Sequence, residues 1–144
     1  MKTRLDIKQQ EPEAYSIMLN FEKYLGKIEL TQAHKNLIKI RASQMNGCSY
    51  CIDMHTKEAR ASGESEQRLH VLSSWKDTPF FNEQEQSILS VTEEVTFIQQ
   101  RLSESTYQKA VKVLGEKYLT QVIMAVIVIN SWNRIGVATE MMPE

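Results

Sequence analysis

The fold of this chain is constrained most by how rarely its helical pattern is interrupted. Only three prolines and five glycines fall within 144 residues. Between them, apolar residues recur at the three- and four-residue spacing of an amphipathic helix. Pro12 is suited to open a first helix, whose face carries Ala14, Ile17, Met18, Phe21 and Leu25 before Gly26 stops it. Thr31 is the N-cap of a second, with His34, Leu37, Ile38 and Met45 on its face and Asn46-Gly47 at its end. A third runs from Cys48 to Ser62-Gly63, and a fourth carries Leu69, Leu72 and Trp75. After a loop from Lys76 to Phe81, Asn82 and Glu85 have the spacing of a capping box and open a fifth, with Ile88, Val91, Val95 and Ile98 on its face. Ser103 starts a sixth, carrying Tyr107, Ala110, Val111 and Leu114, which Gly115 closes.

The last segment, Glu116 to Thr139, contains the apolar run Val122–Ile129. Its β-branched residues suit a buried strand as well as a buried helix. No second strand is available to pair with it, so it reads as a helix buried centrally or at a subunit interface. The sequence thus predicts an all-α domain of six or seven helices spanning residues 1–144, without repeats, low-complexity tracts or linkers.

A chain of this length buries roughly 68–70% of its unfolded surface and needs no covalent staple. Seventeen basic and 18 acidic residues leave a formal charge of −1. That balance gives no reason to expect a nucleic-acid partner or attraction to an anionic membrane surface. The N-terminal residues lack the apolar core of a signal peptide. The eight-residue run Val122–Ile129 is far shorter than the ~20 residues of a membrane span. The expected compartment is the cytoplasm, where a CxxC pair is more often catalytic or metal-binding than structural.

The only two cysteines, Cys48 and Cys51, lie with His55 in the run Gly47-Cys48-Ser49-Tyr50-Cys51-Ile52-Asp53-Met54-His55. On a helix, the spacings i, i+3 and i+7 put all three side chains in one stripe. Gly47 precedes the first thiol, so both fall near a helix start, where unpaired N–H groups favour a thiolate. His55, one turn beyond Cys51, is placed to take a thiol proton or stabilise the thiolate. A thiolate of this kind attacks a peroxide oxygen or a disulfide sulfur, and the second cysteine resolves the product as a Cys48–Cys51 disulfide. Two alternatives stand beside this reading: an idle cysteine pair, and a zinc site for which the sequence supplies three ligands but no fourth. A thioredoxin-type motif is disfavoured because no βαβ pattern surrounds the cysteines.

The chain resembles the AhpD-like family within the carboxymuconolactone decarboxylase superfamily. The resemblance runs from Leu37 to Arg60, including Arg41-Ala42-Ser43-Gln44-Met45-Asn46-Gly47-Cys48 and Cys51-Ile52-Asp53-Met54-His55-Thr56-Lys57-Glu58-Ala59-Arg60. It continues through Gly63-Glu64, Glu66-Gln67-Arg68-Leu69, Trp75 and Thr78-Pro79-Phe80-Phe81, and ends with Ile129-Asn130-Ser131-Trp132-Asn133-Arg134. It implies an all-helical homo-oligomer, commonly a trimer or hexamer, with peroxidase or thiol–disulfide activity; no bound cofactor or metal is expected. It also implies that Cys51 is the thiol oxidised to sulfenic acid, that Cys48 is the proton donor and resolving thiol, and that His55 belongs to the proton relay. The implied partners are a hydroperoxide or disulfide substrate and a lipoyl-bearing or dithiol reductant protein. Keeping both cysteines favours the redox branch over the decarboxylase branch.

The family's relay glutamate, twelve residues before the first cysteine, is Asn36 here. An amide accepts no proton at neutral pH, and Glu22 and Glu29 are the candidates to replace it in space. Asn36 is also the residue that favours an alternative function, a non-catalytic redox sensor or oligomeric scaffold whose CxxC reports oxidation. His34 reads as a packed or solvent residue and His70 as a surface one. Arg41 is expected to pair with a buried carboxylate, and Trp132-Asn133-Arg134 to pack and cap near a helix end. Met18, Met45, Met54 and Met124 read as core fillers, and Glu83–Glu85 and Glu93-Glu94 as solvated helix faces.

Overall fold

The computed structural model describes residues 4–144. Its order is α1 (Ile7–Gln10), α2 (Pro12–Leu25), α3 (Gln32–Asn46), α4 (Ser49–Ala61), α5 (Glu66–Val71), a 3₁₀ segment Leu72–Asp77, α6 (Glu83–Thr96), a 3₁₀ turn Ile98–Gln100, α7 (Glu104–Leu114) and α8 (Glu116–Ala138). No strand occurs among the described residues. Of the six or seven helices expected, seven are found, although the fourth ends at Val71 and leaves Leu72 and Trp75 on the 3₁₀ segment; α1 adds a single turn ahead of Pro12, capped by the Asp6 carboxylate on the N–H groups of Lys8 and Gln9.

The local signals act as their chemistry predicts. Thr31 and Ser103 cap α3 and α7 through their hydroxyls. Asn82 and Glu85 form a reciprocal capping box at the start of α6.

Helix α3 is the hinge of the packing. Ile38 and Ala42, four residues apart, join a core with Val91 of α6 and Val122, Val126 and Ile129 of α8. Leu37 and Ile40, on its other flank, join a second core with Ala59 of α4, Leu69 of α5, Leu72, Trp75 and Phe81. Two apolar stripes on one helix thus tie α8 to one side and α4 and α5 to the other. Each fully buried Leu or Ile contributes about 1.5–3 kcal/mol over an exposed one. Helix α8, at 23 residues, is long and apolar enough to cross a bilayer by length and composition alone. In this fold it is packed into the first core through Val122, Ala125, Val126, Val128 and Ile129.

Some expectations are corrected. Helix α6 stops at Thr96, so Ile98 lies on the 3₁₀ turn, 55% exposed, rather than on the α6 face. Ile17 of α2 is 63% exposed, because α2 lies against the bundle mainly through Phe21 and Leu25. Met18, Met45, Met54 and Met124 are half-buried and belong to neither core.

Of the acidic residues of α6, Glu83 is exposed as expected, but Glu85, Glu93 and Glu94 are not simply solvated. Glu85 is buried beneath Arg68, with Oε1 2.6 Å from one guanidinium nitrogen. Glu93 accepts from Arg41 Nε at 2.9 Å, Trp75 Nε1 at 2.8 Å and Lys76 Nζ at 2.8 Å. Glu94 accepts from the Ser103 N–H at 2.7 Å and from the Thr106 hydroxyl at 2.6 Å. Burial works to raise the Glu85 and Glu93 carboxyls, but these donors hold both below the ordinary carboxylate range.

Candidate active site

Helix α3 gives way to α4 within two residues. Gly47 takes a left-handed conformation (φ 66°, ψ 30°), and its N–H and that of Cys48 turn back to the carbonyls of Gln44 and Ser43. Only glycine adopts this backbone without steric cost. The turn leaves Cys48 as the N-cap of α4, in extended conformation, with Sγ accepting from the Cys51 N–H at 3.3 Å. A sulfur thus occupies the position where a serine or aspartate oxygen would cap the helix. The same N–H groups that favour an oxyanion there favour a thiolate.

Cys48 and Cys51 are joined as a disulfide, with an S–S distance of 2.06 Å. Both are buried, at 2% and 3% exposure. His55 follows one turn after Cys51 and Ala59 one turn later, and both are buried. The stripe of Cys48, Cys51 and His55 expected from spacing is therefore the buried face of α4.

The His55 ring is oriented by a residue that sequence reasoning missed. Nδ1 lies 2.8 Å from Glu58 Oε2. With Nδ1–H donating to that carboxylate, the neutral ring keeps Nε2 free as a base. Burial pushes the imidazole below its ordinary range, partly opposed by the Glu58 hydrogen bond. Glu58 lies three residues after His55, so the helical-face rule that grouped the cysteines with the histidine also reaches it.

The residues weighed as the missing acid have other partners. Asn36, buried, accepts from Gln32 Nε2 at 2.8 Å and donates to Ser62 Oγ at 2.9 Å, pinning α3 to the end of α4. Glu22 pairs with Lys39 and accepts from Trp132 Nε1 at 3.2 Å. Glu29 pairs with Lys117 at the surface. Neither Glu22 nor Glu29 is hydrogen-bonded to the imidazole; Glu58 is.

A polar ladder behind the cysteines joins α3 to α8. Asn133 donates to Ser43 Oγ at 2.9 Å and accepts from Asn46 Nδ2 at 3.0 Å. Asn46 also donates to Asn130 Oδ1 at 2.9 Å. Arg134 donates to the Asn130 carbonyl at 3.0 Å and to Asn130 Oδ1 at 3.1 Å, but α8 continues to Ala138, so the arginine braces the helix interior rather than capping its end. Arg41 has its carboxylate partner in Glu93. His34 is half-buried against the Tyr118 hydroxyl at 2.6 Å, and His70 is exposed. A cavity of about 190 Å³ between α6 and α8 has no lining residue in common with the cysteine stripe. Among the described residues, no group of three or more His, Cys, Asp or Glu side chains converges as a metal site would require.

The carboxymuconolactone decarboxylase family profile matches residues 12–94. The uncharacterized protein YdfG of Bacillus subtilis (strain 168) is 37% identical over 139 residues, covering 96% of this chain and 95% of its own length. The crystal structure of a protein of unknown function from Agrobacterium tumefaciens, proposed to be an antioxidant defence protein AhpD, superposes with a TM-score of 0.96 at 33% identity. That match covers 99% of both chains. A peroxidase-related protein from Ralstonia eutropha JMP134, described as an alkylhydroperoxidase AhpD core, shares the fold at a TM-score of 0.84 and 14% identity, over 95% of this chain and 74% of its own. With the helix-start cysteine pair and its histidine in place on a fold of this kind, the chain belongs to the carboxymuconolactone decarboxylase family as an AhpD-like member.

Proposed function

We propose that the protein is a thiol-dependent peroxidase of the alkyl hydroperoxide reductase type, cycling between a Cys48–Cys51 dithiol and disulfide. The observation that carries this reading is the conjunction on one helix face. Two sulfurs lie within bonding reach at the α4 N-terminus, and a neutral, carboxylate-oriented His55 follows on the same face. The similarity to the Agrobacterium tumefaciens protein supports it.

In this cycle the Cys51 thiolate attacks the outer oxygen of a hydroperoxide. The O–O bond breaks, Cys51 becomes a sulfenic acid, and the departing alkoxide leaves as the alcohol with the proton of Cys48. His55 passes protons within the stripe. The Cys48 thiolate then attacks the Cys51 sulfur, water departs, and the disulfide forms. An external dithiol, a lipoyl-bearing partner protein or a small dithiol, supplies two electrons and two protons to restore the thiols. The protein works in the cytoplasm, where such reductants prevail, and assembles as a homo-oligomer. The exposed Ile17, Leu19, Ile127 and Val137 offer apolar surface for that assembly.

The near-complete burial of both sulfurs favours a second reading, a redox sensor that oxidises once and is not turned over. Steady-state peroxide consumption with excess lipoyl or small dithiol separates the two. The peroxidase consumes many equivalents of peroxide per chain, and consumption that stops at one equivalent contradicts that reading.

A further inference from the structure

We infer that Gly136 is a positioning residue that sets how readily the Cys48–Cys51 disulfide is reduced. The inference rests on the dithiol–disulfide cycle proposed above. A Cβ built at Gly136 would lie 2.8 Å from Cys48 Sγ and 3.4 Å from Cys51 Sγ. Apart from its own turn of helix and its chain neighbours, no other heavy atom would be within 4 Å. The space beside Gly136 is therefore taken by the two sulfurs alone.

Glycine is among the least favourable residues in a helix interior. Gly136 lies inside α8, buried, without the left-handed backbone that would require glycine. The close approach of the sulfurs gives it a reason to be there. The approach is fixed from both sides. Asn133, one turn earlier on α8, is held by Ser43 and Asn46 at the end of α3. Cys48 follows that end through the Gly47 turn.

The two redox states differ in what they can tolerate. In the dithiol, no bond to Cys51 Sγ fixes the rotation of Cys48 Sγ about its Cα–Cβ bond, so the sulfur is freer to yield to an added methyl group. In the disulfide, the bond to Cys51 Sγ removes that freedom, and the methyl must displace either α8 or the bridge. Overpacking of this kind is unfavourable, and here it falls chiefly on the oxidised state. Gly136 thus favours the disulfide, and Gly136→Ala shifts the pair toward the dithiol.

The test equilibrates the parent chain and Gly136→Ala with mixtures of reduced and oxidised dithiothreitol. In the exchange, the protein disulfide takes two electrons and two protons from the reagent dithiol, which closes to its cyclic disulfide. After alkylation, the thiols are counted by mass. The expected result is a dithiol–disulfide constant displaced toward the dithiol by about tenfold or more in Gly136→Ala. A second comparison guards against a simple folding defect. Gly136→Ala is expected to lower the thermal midpoint of the oxidised protein but to leave unchanged or raise that of Cys48→Ala, which lacks the 2.8 Å sulfur contact and keeps only the Cys51 sulfur at ordinary van der Waals distance. Equal constants within twofold, or an equal loss of midpoint or of folding in both backgrounds, would overturn the inference while leaving the cycle intact. A parent chain that forms no Cys48–Cys51 disulfide in any mixture would overturn the cycle and the inference together.

Discussion

His55 Nδ1 and Glu58 Oε2 lie 2.8 Å apart, joining a buried imidazole to a half-exposed carboxylate on the same helix. The bond fixes the tautomer. It directs Nε2, rather than Nδ1, to whatever proton the cysteine stripe exchanges. An exposed carboxylate adds little to stability, so its effect is read in the chemistry. Because burial lowers the His55 pKa and Glu58 partly restores it, the acid limb of the turnover–pH profile is expected below the ordinary histidine range. Glu58→Gln removes the restoring charge and moves that limb to still lower pH. His55→Gln lowers kcat/KM by roughly 10²-fold or more. An acid limb that does not move in Glu58→Gln would separate Glu58 from the relay.

Folding stability follows the same proton. As pH falls below the unfolded histidine value, the unfolded chain binds a proton that buried His55 resists, so His55 lowers stability toward acid. His55→Gln is expected to flatten the fall of the thermal midpoint between neutral and mildly acidic pH, as read by calorimetry or circular dichroism. A fall as steep as the parent's would contradict this.

Glu93 anchors Arg41, Trp75 and Lys76 at one carboxylate. Glu93→Ala leaves a largely buried guanidinium and an indole N–H without their partner and is expected to cost about 2–3 kcal/mol. Denaturant unfolding measures it. Glu85 and Glu93 are both held below the usual carboxylate range. Their contribution is complete above the unfolded carboxyl value and is lost as pH falls through their lowered values. Acid unfolding is expected to come at higher pH in Glu93→Ala than in the parent.

Asn36 stands where the resemblance leads one to expect a relay acid, but it binds Gln32 and Ser62. Asn36→Ala is expected to cost about 1–2 kcal/mol from the two lost hydrogen bonds, with turnover per folded chain unchanged. A loss of turnover much larger than the loss of folded protein would place Asn36 in the relay after all.

The sequence made legible what is decided locally. Asn46-Gly47 marked the turn that sets Cys48 at the start of α4, and Asn82 with Glu85 marked the start of α6, because caps depend on residues within one turn. The Cys48, Cys51 and His55 stripe was legible for the same reason. What depended on distant partners was not. Glu85 and Glu93 look like solvated charges until Arg68, Arg41 and Trp75 are folded against them. Ile17 and Ile98 satisfy helical spacing, yet one is left exposed by the shallow seat of α2 and the other by the end of α6 at Thr96. Gly136 bears on the site only through contact with sulfurs far away in sequence.

The most direct measurement is thiol counting by mass in the parent chain, Cys51→Ser and Cys48→Ser after exposure to a hydroperoxide, before and after a dithiol. The parent is expected to lose both thiols to one intramolecular disulfide and to regain both with the dithiol. Cys48→Ser is expected to stop with a sulfenic acid on Cys51, and Cys51→Ser to stay reduced at Cys48. A parent that keeps both thiols after peroxide, or a Cys51→Ser variant that consumes peroxide at the parent rate, would contradict the account.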